Sequence, residues 1–359
     1  MTVLFAQRFE MGAVLPTMNA REHDEISAVV AQASDICRVS RSVGDMVRLR
    51  DARVRSGQSI NEETRTSWQL QVDKEPENLF DPEPGMLPEL CLRDLTITNL
   101  QSAMYHHGAL IIRNLFDPRL AHEYRKKIDE VFAAANELAA EVGDGAPDER
   151  PARSKGRYLP LGKKSGMSRP AHFAFLGKSG AVETFLSPKV SHELLDSFEA
   201  LGLRGLLQSY FRDEACLSFQ KSVLRRAEPL ENPAEWHQDG AFMTPGIQSL
   251  NLWISLTECG AGTEAPGMDL IPRRLSSILP TGTNNAVFNW SVSGKTVAEE
   301  FPELEPARPY FGAGDAVFFD HYNLHATSSG PEFTQPRYAI ETWFFSKSKC
   351  AINQTPVIW

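Results

Sequence analysis

The chain has 359 residues, of which 42% are hydrophobic and 23% are charged, a balance that is typical of globular proteins. Its 46 acidic and 37 basic residues give a formal net charge of −9, which argues against nucleic acid as a partner, because nucleic-acid-binding domains carry a basic surface. No stretch approaches the roughly 18 apolar residues of a membrane helix, so no membrane partner is expected. The five cysteines are scattered without a C-x-x-C pair, which argues against a thiolate zinc site and favours a reducing, cytoplasmic location.

The first part of the chain predicts helices. Residues 1–85 are interpreted as an N-terminal extension, helix-compatible over 21–56, and residues 86–359 as the main domain. That domain begins with a helical preface over 93–212, in which a buried strand at 109–115 precedes Asp117-Pro118, a typical helix start. The preface also contains a loop over 143–171 with seven bases and no acid after Glu149, and a helical segment over 187–212.

From residue 215 to 346 short apolar runs alternate with Gly, Pro and Asn turns. Seven or eight short strands after a helical preface predict a mainly β core with flanking α-helices, a jelly roll or a barrel. The predicted strands are 216–224, 235–239, 249–256, 268–272, 308–311, 315–319, 324–328 and 338–345.

Four residues of this region suggest metal chemistry. His237 and Asp239 form an H-x-D motif, and on a strand both side chains would point to the same face. His325 follows a buried strand and a turn, and could complete a set of two imidazoles and one carboxylate, which suits Fe(II) and leaves three positions open for a co-substrate and oxygen. Arg337 opens the last apolar strand, where its guanidinium could bind a carboxylate through two hydrogen bonds. His321 competes with His325 as the third ligand.

The ordered set of motifs resembles the phytanoyl-CoA dioxygenase family of Fe(II)- and 2-oxoglutarate-dependent oxygenases over roughly residues 93–346. The resemblance rests on the segments 107–118, 236–240, 252–256, 270–274 and 314–337. It implies a double-stranded β-helix, a cupin-like jelly roll, for the core at 215–346. The first 85 residues have no counterpart, and residues 259–269 and Pro272-Arg273-Arg274 depart from the family pattern, which places the substrate in doubt but not the metal chemistry.

The resemblance also implies roles for individual residues. Iron would be held by His237, Asp239 and His325, the last preferred over His321 because the family places its ligand between a Leu and a small residue. Arg337 would pair with the distal carboxylate of 2-oxoglutarate. Weaker transfers are Thr327, which would assist that carboxylate, Gln220, which would point at 2-oxoglutarate, and Trp253, which would line the pocket. Candidate substrate contacts are Phe242, Met243, His172, Phe173 and Arg157.

These residues predict a dioxygenase that uses Fe(II), 2-oxoglutarate and O2 to hydroxylate, or otherwise oxidise, a small molecule, such as a secondary metabolite. Halogenation is not expected, since related halogenases lack the carboxylate that Asp239 supplies. Two other hypotheses are a jelly-roll binding protein and a metal-dependent isomerase that does not consume 2-oxoglutarate. Glu341 could be buried in an ion pair or could touch the substrate. The sequence predicts no oligomeric state.

Overall fold

The computed structural model describes residues 20–58, 75–142, 157–158, 180–229 and 235–359. Within these ranges lie the helices α1 (Ala20–Ser40), α2 (Val43–Gln58), α3 (Ile97–His106), α4 (Pro118–Val142), α5 (Pro188–Ala200), α6 (Leu203–Phe211) and α7 (Gly294–Glu300). The strands of the same ranges are β1 (Glu89–Cys91), β2 (Ala109–Arg113), β3 (Ala181–Glu183), β4 (Ala215–Ala227), β5 (Trp236–His237), β6 (Ser249–Ser255), β7 (Cys259–Gly260), β8 (Met268–Leu270), β9 (Ser291–Val292), β10 (Tyr310–Phe311), β11 (Ala316–Phe319), β12 (His325–Thr327), β13 (Arg337–Ser346) and β14 (Pro356–Ile358). None of the helices in these ranges is long and apolar enough to cross a bilayer.

Two sheets form the centre of the fold. The large sheet has the order β1-β2-β11-β6-β13-β4-β14, with β3 added to β4, and the small sheet has the order β8-β12-β5-β9. Trp253 and Trp343 of the large sheet share one hydrophobic cluster with Met268 and Leu270 of the small sheet. The two sheets therefore pack face to face, with the cluster between them.

The other face of the large sheet is covered by helices. Along β13, Ala339, Trp343 and Phe345 belong to the cluster between the sheets, whereas Ile340 and Phe344 pack with the helices. This alternation follows from the two-residue period of a strand, and all ten residues of β13 are buried because both faces are covered. A mainly β core with flanking α-helices, as the sequence predicts, is confirmed.

The predicted helix starts are largely right. Asp117 precedes α4, and its Oδ1 accepts the backbone N–H groups of Arg119 and Leu120, 2.8 and 3.0 Å away. The segment 187–212, predicted as one helical region, is two helices, because Gly202 adopts a left-handed conformation with φ of 72° between α5 and α6.

The sheets include strands that the sequence did not indicate. β1, β3, β9 and β14 are two or three residues long, too short to show a period. β14 pairs with β4 beyond residue 346, so the large sheet extends past the predicted core. On its other side β14 approaches α2, since a Cβ at Gly57 would lie 1.8 Å from the carbonyl oxygen of Pro356. The division of the chain at residue 85 stays a prediction.

Gly314, in the turn before β11, is a position where only glycine fits. Its φ is +99°, and a Cβ there would lie 2.1 Å from the carbonyl oxygen of Phe116. We expect Gly314→Ala to lower the free energy of unfolding by at least about 2 kcal/mol, since it combines backbone strain with a clash. Urea denaturation measures this.

Gly202→Ala is the matched control. Gly202 also has a positive φ, of +72°, but a Cβ there meets no described atom within 4 Å. Backbone strain alone should lower the free energy of unfolding of this variant by about 1 kcal/mol. Equal losses in the two variants would contradict the steric argument for Gly314.

Candidate metal centre

His237, Asp239 and His325 lie together at the inner side of the small sheet. One ligand atom from each residue lies within 4.8 Å of the others. Among the described residues, these three form the cluster of His, Cys, Asp or Glu side chains that could hold a metal ion. His325 of β12 pairs directly with His237 of β5, so antiparallel register brings the imidazoles to a centroid distance of 4.3 Å. The strand predicted for 235–239 ends at His237. Asp239 instead begins a 3-10 turn, Asp239–Phe242, and the turn returns its carboxylate to the imidazoles.

Hydrogen bonds to the backbone orient both imidazoles. His237 Nδ1 lies 3.2 Å from the carbonyl oxygen of Glu235, and His325 Nδ1 lies 3.1 Å from that of Asn323. A carbonyl oxygen only accepts, so Nδ1 is the donor in each ring, which reserves Nε2 of the neutral imidazole for a metal ion. This is the arrangement of a metal-binding histidine.

Gln238, between the two motif residues, holds the loop around them. Its side-chain nitrogen donates to the carbonyl oxygens of Ser277 and Tyr322, at 2.9 and 2.7 Å, and its oxygen accepts the N–H of Leu279 at 2.7 Å. The side chain is fully buried. The glutamine of the motif therefore fixes the backbone that presents His237 and Asp239.

The electrostatics of the group suit a divalent cation. Burial lowers the pKa of His237 to about 4, so its imidazole is neutral at pH 7. Burial alone would raise the pKa of Asp239, yet the charge of Lys221 and the two imidazoles hold it below its usual value. Asp239 is 2% exposed, and its Oδ2 has no hydrogen-bond partner among the described residues. A buried carboxylate oxygen beside two free imidazole nitrogens is a donor set that fits Fe(II).

His321 is not part of this group. Its Nδ1 lies 2.8 Å from Oγ of Ser249 on β6, and its ring packs against Gly240. Burial lowers its pKa to about 4. The structure therefore brings His325, and not His321, to the other two ligand candidates.

Arg337 is buried at the start of β13. Its side chain is 3% exposed, Nη1 donates to the carbonyl oxygen of Gly267 at 2.8 Å, and Nε has no partner among the described residues. The guanidinium carbon lies 5.4 Å from the centre of the Trp253 ring. Burial lowers the pKa of Arg337 to about 10, so it remains a cation at neutral pH. A buried cation with an unpartnered N–H is a receptor for an anion.

Of the three weaker candidates, Trp253 contacts Arg337, and Thr327 lies on β12 two residues after His325, hence on the same face. Gln220 does not reach the group. Its amide exchanges two hydrogen bonds with Thr355, Nε2 to Oγ1 at 3.0 Å and the Thr355 N–H to Oε1 at 2.8 Å. In the structure the segment before β14, which the sequence did not indicate, thus occupies the amide of Gln220, and its role toward 2-oxoglutarate stays a prediction.

Its neighbour Lys221, by contrast, reaches one of the metal-ligand candidates. Lys221 Nζ lies 3.4 Å from Oδ1 of Asp239 and 3.9 Å from the centre of the Phe242 ring. Lys221 was not among the predicted site residues, although Lys221 and Arg225 stand four residues apart in β4, a spacing that puts both on one face.

Glu341 is engaged in an ion pair. Arg225 Nε and Nη2 lie 2.7 and 2.6 Å from Glu341 Oε2. The side chain of Glu341 is buried, and its pKa is lowered because Arg225 and Lys221 outweigh the opposing effect of burial. Of the two hypotheses for Glu341, the buried pair is the one the structure shows.

The substrate candidates fall into three groups. Phe242 lies beside His237, with Met243 buried next to it in the cluster between the sheets. Arg157 is paired with Glu130 of α4 at 2.8 Å, on the helix-covered side of the large sheet, so the structure does not bring it to the metal ligands. His172 and Phe173 lie outside the described residues.

Two further aromatic residues, missed in the sequence, lie near His237. The Trp290 ring is 5.6 Å from the His237 ring and 5.7 Å from the Phe242 ring, and Phe288 stacks on Trp290 at 4.8 Å. They follow a turn-rich segment without a period, so only the pairing of β9 with β5 places them. These rings and Phe242 thus form an aromatic wall beside His237.

No protein-family model and no curated protein matches the chain. Among solved structures, EvdO2 from Micromonospora carbonacea var. aurantiaca, complexed with 2-oxoglutarate, is 16% identical over 71% of this chain and 90% of its own, with a TM-score of 0.42. SnoK, a non-haem α-ketoglutarate-dependent carbocyclase from nogalamycin biosynthesis, is 14% identical over 71% of this chain and 85% of its own, with a TM-score of 0.43. EctD from S. alaskensis, with 2-oxoglutarate and 5-hydroxyectoine, is 16% identical over 68% of this chain and 74% of its own, with a TM-score of 0.41. Likeness of this degree assigns no family to the chain.

The geometry predicts a divalent metal site with three protein ligands. We expect Fe(II) or Co(II) to bind the wild type, and His237→Ala, Asp239→Ala and His325→Ala each to weaken binding by at least about 100-fold, since each removes a ligand. Anaerobic titration calorimetry measures the affinities. His321→Asn is the control and should bind within threefold of the wild type; a 100-fold loss there, with binding retained in His325→Ala, would assign the third ligand to His321.

The lowered pKa of His321 predicts a pH effect on stability. Between pH 6.5 and 4 the unfolded state takes up the proton more readily than the folded state, so the stability of metal-free protein falls as the pH falls through this window. Across this window the free energy of unfolding of His321→Asn should fall by on the order of 1–2 kcal/mol less than that of the wild type. Urea denaturation at both pH values measures it, and the exposed His122→Asn should behave as the wild type.

Proposed function

We propose that the protein is a non-haem Fe(II) oxygenase that couples oxidative decarboxylation of 2-oxoglutarate to oxidation, specifically hydroxylation, of a C–H bond in a small molecule. One observation carries the proposal: a buried carboxylate oxygen and two imidazoles form one group, and the buried Arg337, with an unpartnered N–H, bonds Gly267 next to β8, the neighbour of the His325 strand. A metal site alone serves many reactions, whereas a metal site with an adjacent buried carboxylate receptor suits a dicarboxylate that chelates the metal. The fold we propose for this cavity is a double-stranded β-helix.

The residues of the chain divide the task. His237, Asp239 and His325 would hold Fe(II) on one face and leave the opposite positions open. Fe(II), when bound, supplies the activation of O2 and the oxidation. Arg337 binds the distal carboxylate of 2-oxoglutarate, supported by Trp253 and by the hydroxyl of Thr327. The cluster between the sheets excludes water from these groups, which strengthens every charge–charge contact in the cavity.

The substrate would enter beside His237, where Phe242, Trp290 and Phe288 present aromatic rings. Such a wall suits an apolar, ring-bearing molecule, in keeping with a secondary metabolite. EvdO2 and EctD are described with 2-oxoglutarate and SnoK as α-ketoglutarate-dependent, and we propose that co-substrate for this chain on the strength of Arg337. We also propose hydroxylation over halogenation, because Asp239 takes the position that a halide would need.

Turnover of 2-oxoglutarate tests the proposal. Wild-type protein with Fe(II), ascorbate and O2 should form succinate, even slowly without substrate, and Asp239→Ala should form none above background. Arg337→Gln should raise the KM for 2-oxoglutarate roughly 10- to 100-fold, since it removes charge-assisted hydrogen bonds. The KM of Arg337→Lys should lie between those of the wild type and Arg337→Gln. Succinate is measured by mass spectrometry.

Visible spectra of the anaerobic Fe(II) protein give the discriminating readout. Addition of 2-oxoglutarate should produce a charge-transfer band that is absent in His237→Ala. If the protein binds metal but shows neither the band nor succinate, a metal-dependent isomerase is the better interpretation. If it binds no metal, a jelly-roll binding protein is the better interpretation.

A further inference from the structure

A row of charged side chains on β4 and β13 extends from Asp239 toward Arg337. β4 supplies Lys221 and Arg225, and β13 supplies Arg337 and Glu341, each pair four residues apart and hence on one face of its strand. The two strands are antiparallel neighbours, with Glu341 opposite Val223 and Arg337 opposite Ala227. Their side chains point toward the cluster between the sheets, as Ala339 and Trp343 do.

The members of the row act on one another. Lys221 contacts Asp239 at 3.4 Å, and Arg225 contacts Glu341 at 2.6 Å. Lys221 and Asp239 also act electrostatically on Glu341, and Arg225 and Glu341 act on Arg337. The five groups therefore share one electrostatic environment, in which buried charges need partners.

Their charges do not cancel. Within the described residues of the row, three side chains are cationic, Lys221, Arg225 and Arg337, and two are anionic, Asp239 and Glu341. A divalent metal ion and the two carboxylates of 2-oxoglutarate add equal and opposite charges. One positive charge is left over.

The location of the extra charge is Lys221. Glu341 neutralises Arg225, and 2-oxoglutarate would neutralise Arg337. Asp239, the partner of Lys221, would give its charge to the metal, leaving the ammonium group 3.4 Å from a carboxylate that is already neutralised. Lys221 also lies over the Phe242 ring, which in turn contacts the Trp290 ring. An unbalanced cation thus stands next to the aromatic wall.

Resting on the function proposed above, we propose that the organic substrate is an acid: it carries one anionic group, a carboxylate, that binds Lys221 while its apolar ring lies against Phe242 and Trp290. Lys221 is then a specificity-determining residue, which selects an anion over a neutral analogue of the same shape. The selection comes from a charge-assisted hydrogen bond to a half-buried ammonium group.

A pair of isosteric probes tests this. 2-Naphthoate and 2-naphthamide have the same ring and nearly the same shape, and differ in charge. We expect anaerobic calorimetry on the protein loaded with Fe(II) and 2-oxoglutarate to show 2-naphthoate binding at least about tenfold more tightly than 2-naphthamide. Lys221→Met should lose that tenfold preference by weakening 2-naphthoate alone, and Lys221→Arg should keep it.

Lys127→Met is a closely matched control. The Lys127 side chain is 25% exposed, against 24% for Lys221, and it likewise pairs with a carboxylate, Glu193 at 3.2 Å, and lies over an aromatic ring, Tyr124 at 4.4 Å. It stands on α4, in the helical layer. The preference for 2-naphthoate should be unchanged in this variant.

Three results would overturn the proposal: equal binding of the two probes, a preference that survives in Lys221→Met, or no binding of 2-naphthoate at millimolar concentration. Titration of 2-oxoglutarate into the Fe(II) form of each variant shows whether Lys221 binds an anionic group of the substrate or a carboxylate of 2-oxoglutarate. A tenfold loss of 2-oxoglutarate affinity in Lys221→Met, with 2-naphthoate unaffected, would assign Lys221 to the co-substrate and overturn an acidic substrate. If the wild type binds no 2-oxoglutarate, the proposed function itself fails, which is a different result from loss of probe selectivity alone.

Discussion

The pairing of His325 with His237 across two neighbouring strands is the contact on which the whole site depends. A slip of one residue in either strand would turn its imidazole to the opposite face, because side chains alternate along a strand. The register is fixed from both sides: β12 lies between β5 and β8, and Gln238 ties the loop after β5 to three backbone groups. The ligands are therefore positioned by the sheet before any metal binds.

The large sheet serves two purposes at once. Its outer face packs apolar side chains against the helices, a contribution of about 1.5–3 kcal/mol for each fully buried large side chain. Its inner face mixes apolar residues with Arg337 and Glu341, and Asp239 lies in the turn that follows β5 of the small sheet. Burial of these charges is unfavourable unless each finds an opposite charge. Glu341 forms an ion pair with Arg225, whereas Asp239 Oδ2 and Arg337 Nε have no partner among the described residues. Stability is thus given up at the two points where ligands would bind.

Regular, long elements were predictable from the sequence. The helix that begins at Pro118 and the strand at 249–255 each carry a clear period and a clear start or stop. The misses are of a different kind. β1, β3, β9 and β14 are held by pairing with strands distant in the chain, and two- or three-residue strands have no period of their own. Asp239 was expected on a strand and lies in a turn, since an H-x-D spacing is compatible with both.

The sequence by itself determined which chemistry is available: one H-x-D motif, one later histidine and one arginine, in an order that predicts a metal and a carboxylate. Only the tertiary structure decided how they meet. It brought His325 rather than His321 to the pair, bonded Gln220 to Thr355 and Lys221 to Asp239, and paired Glu341 with Arg225. The physical reason is that these choices depend on the register between strands far apart in the chain, and register is set by packing between the two sheets, not by any local pattern.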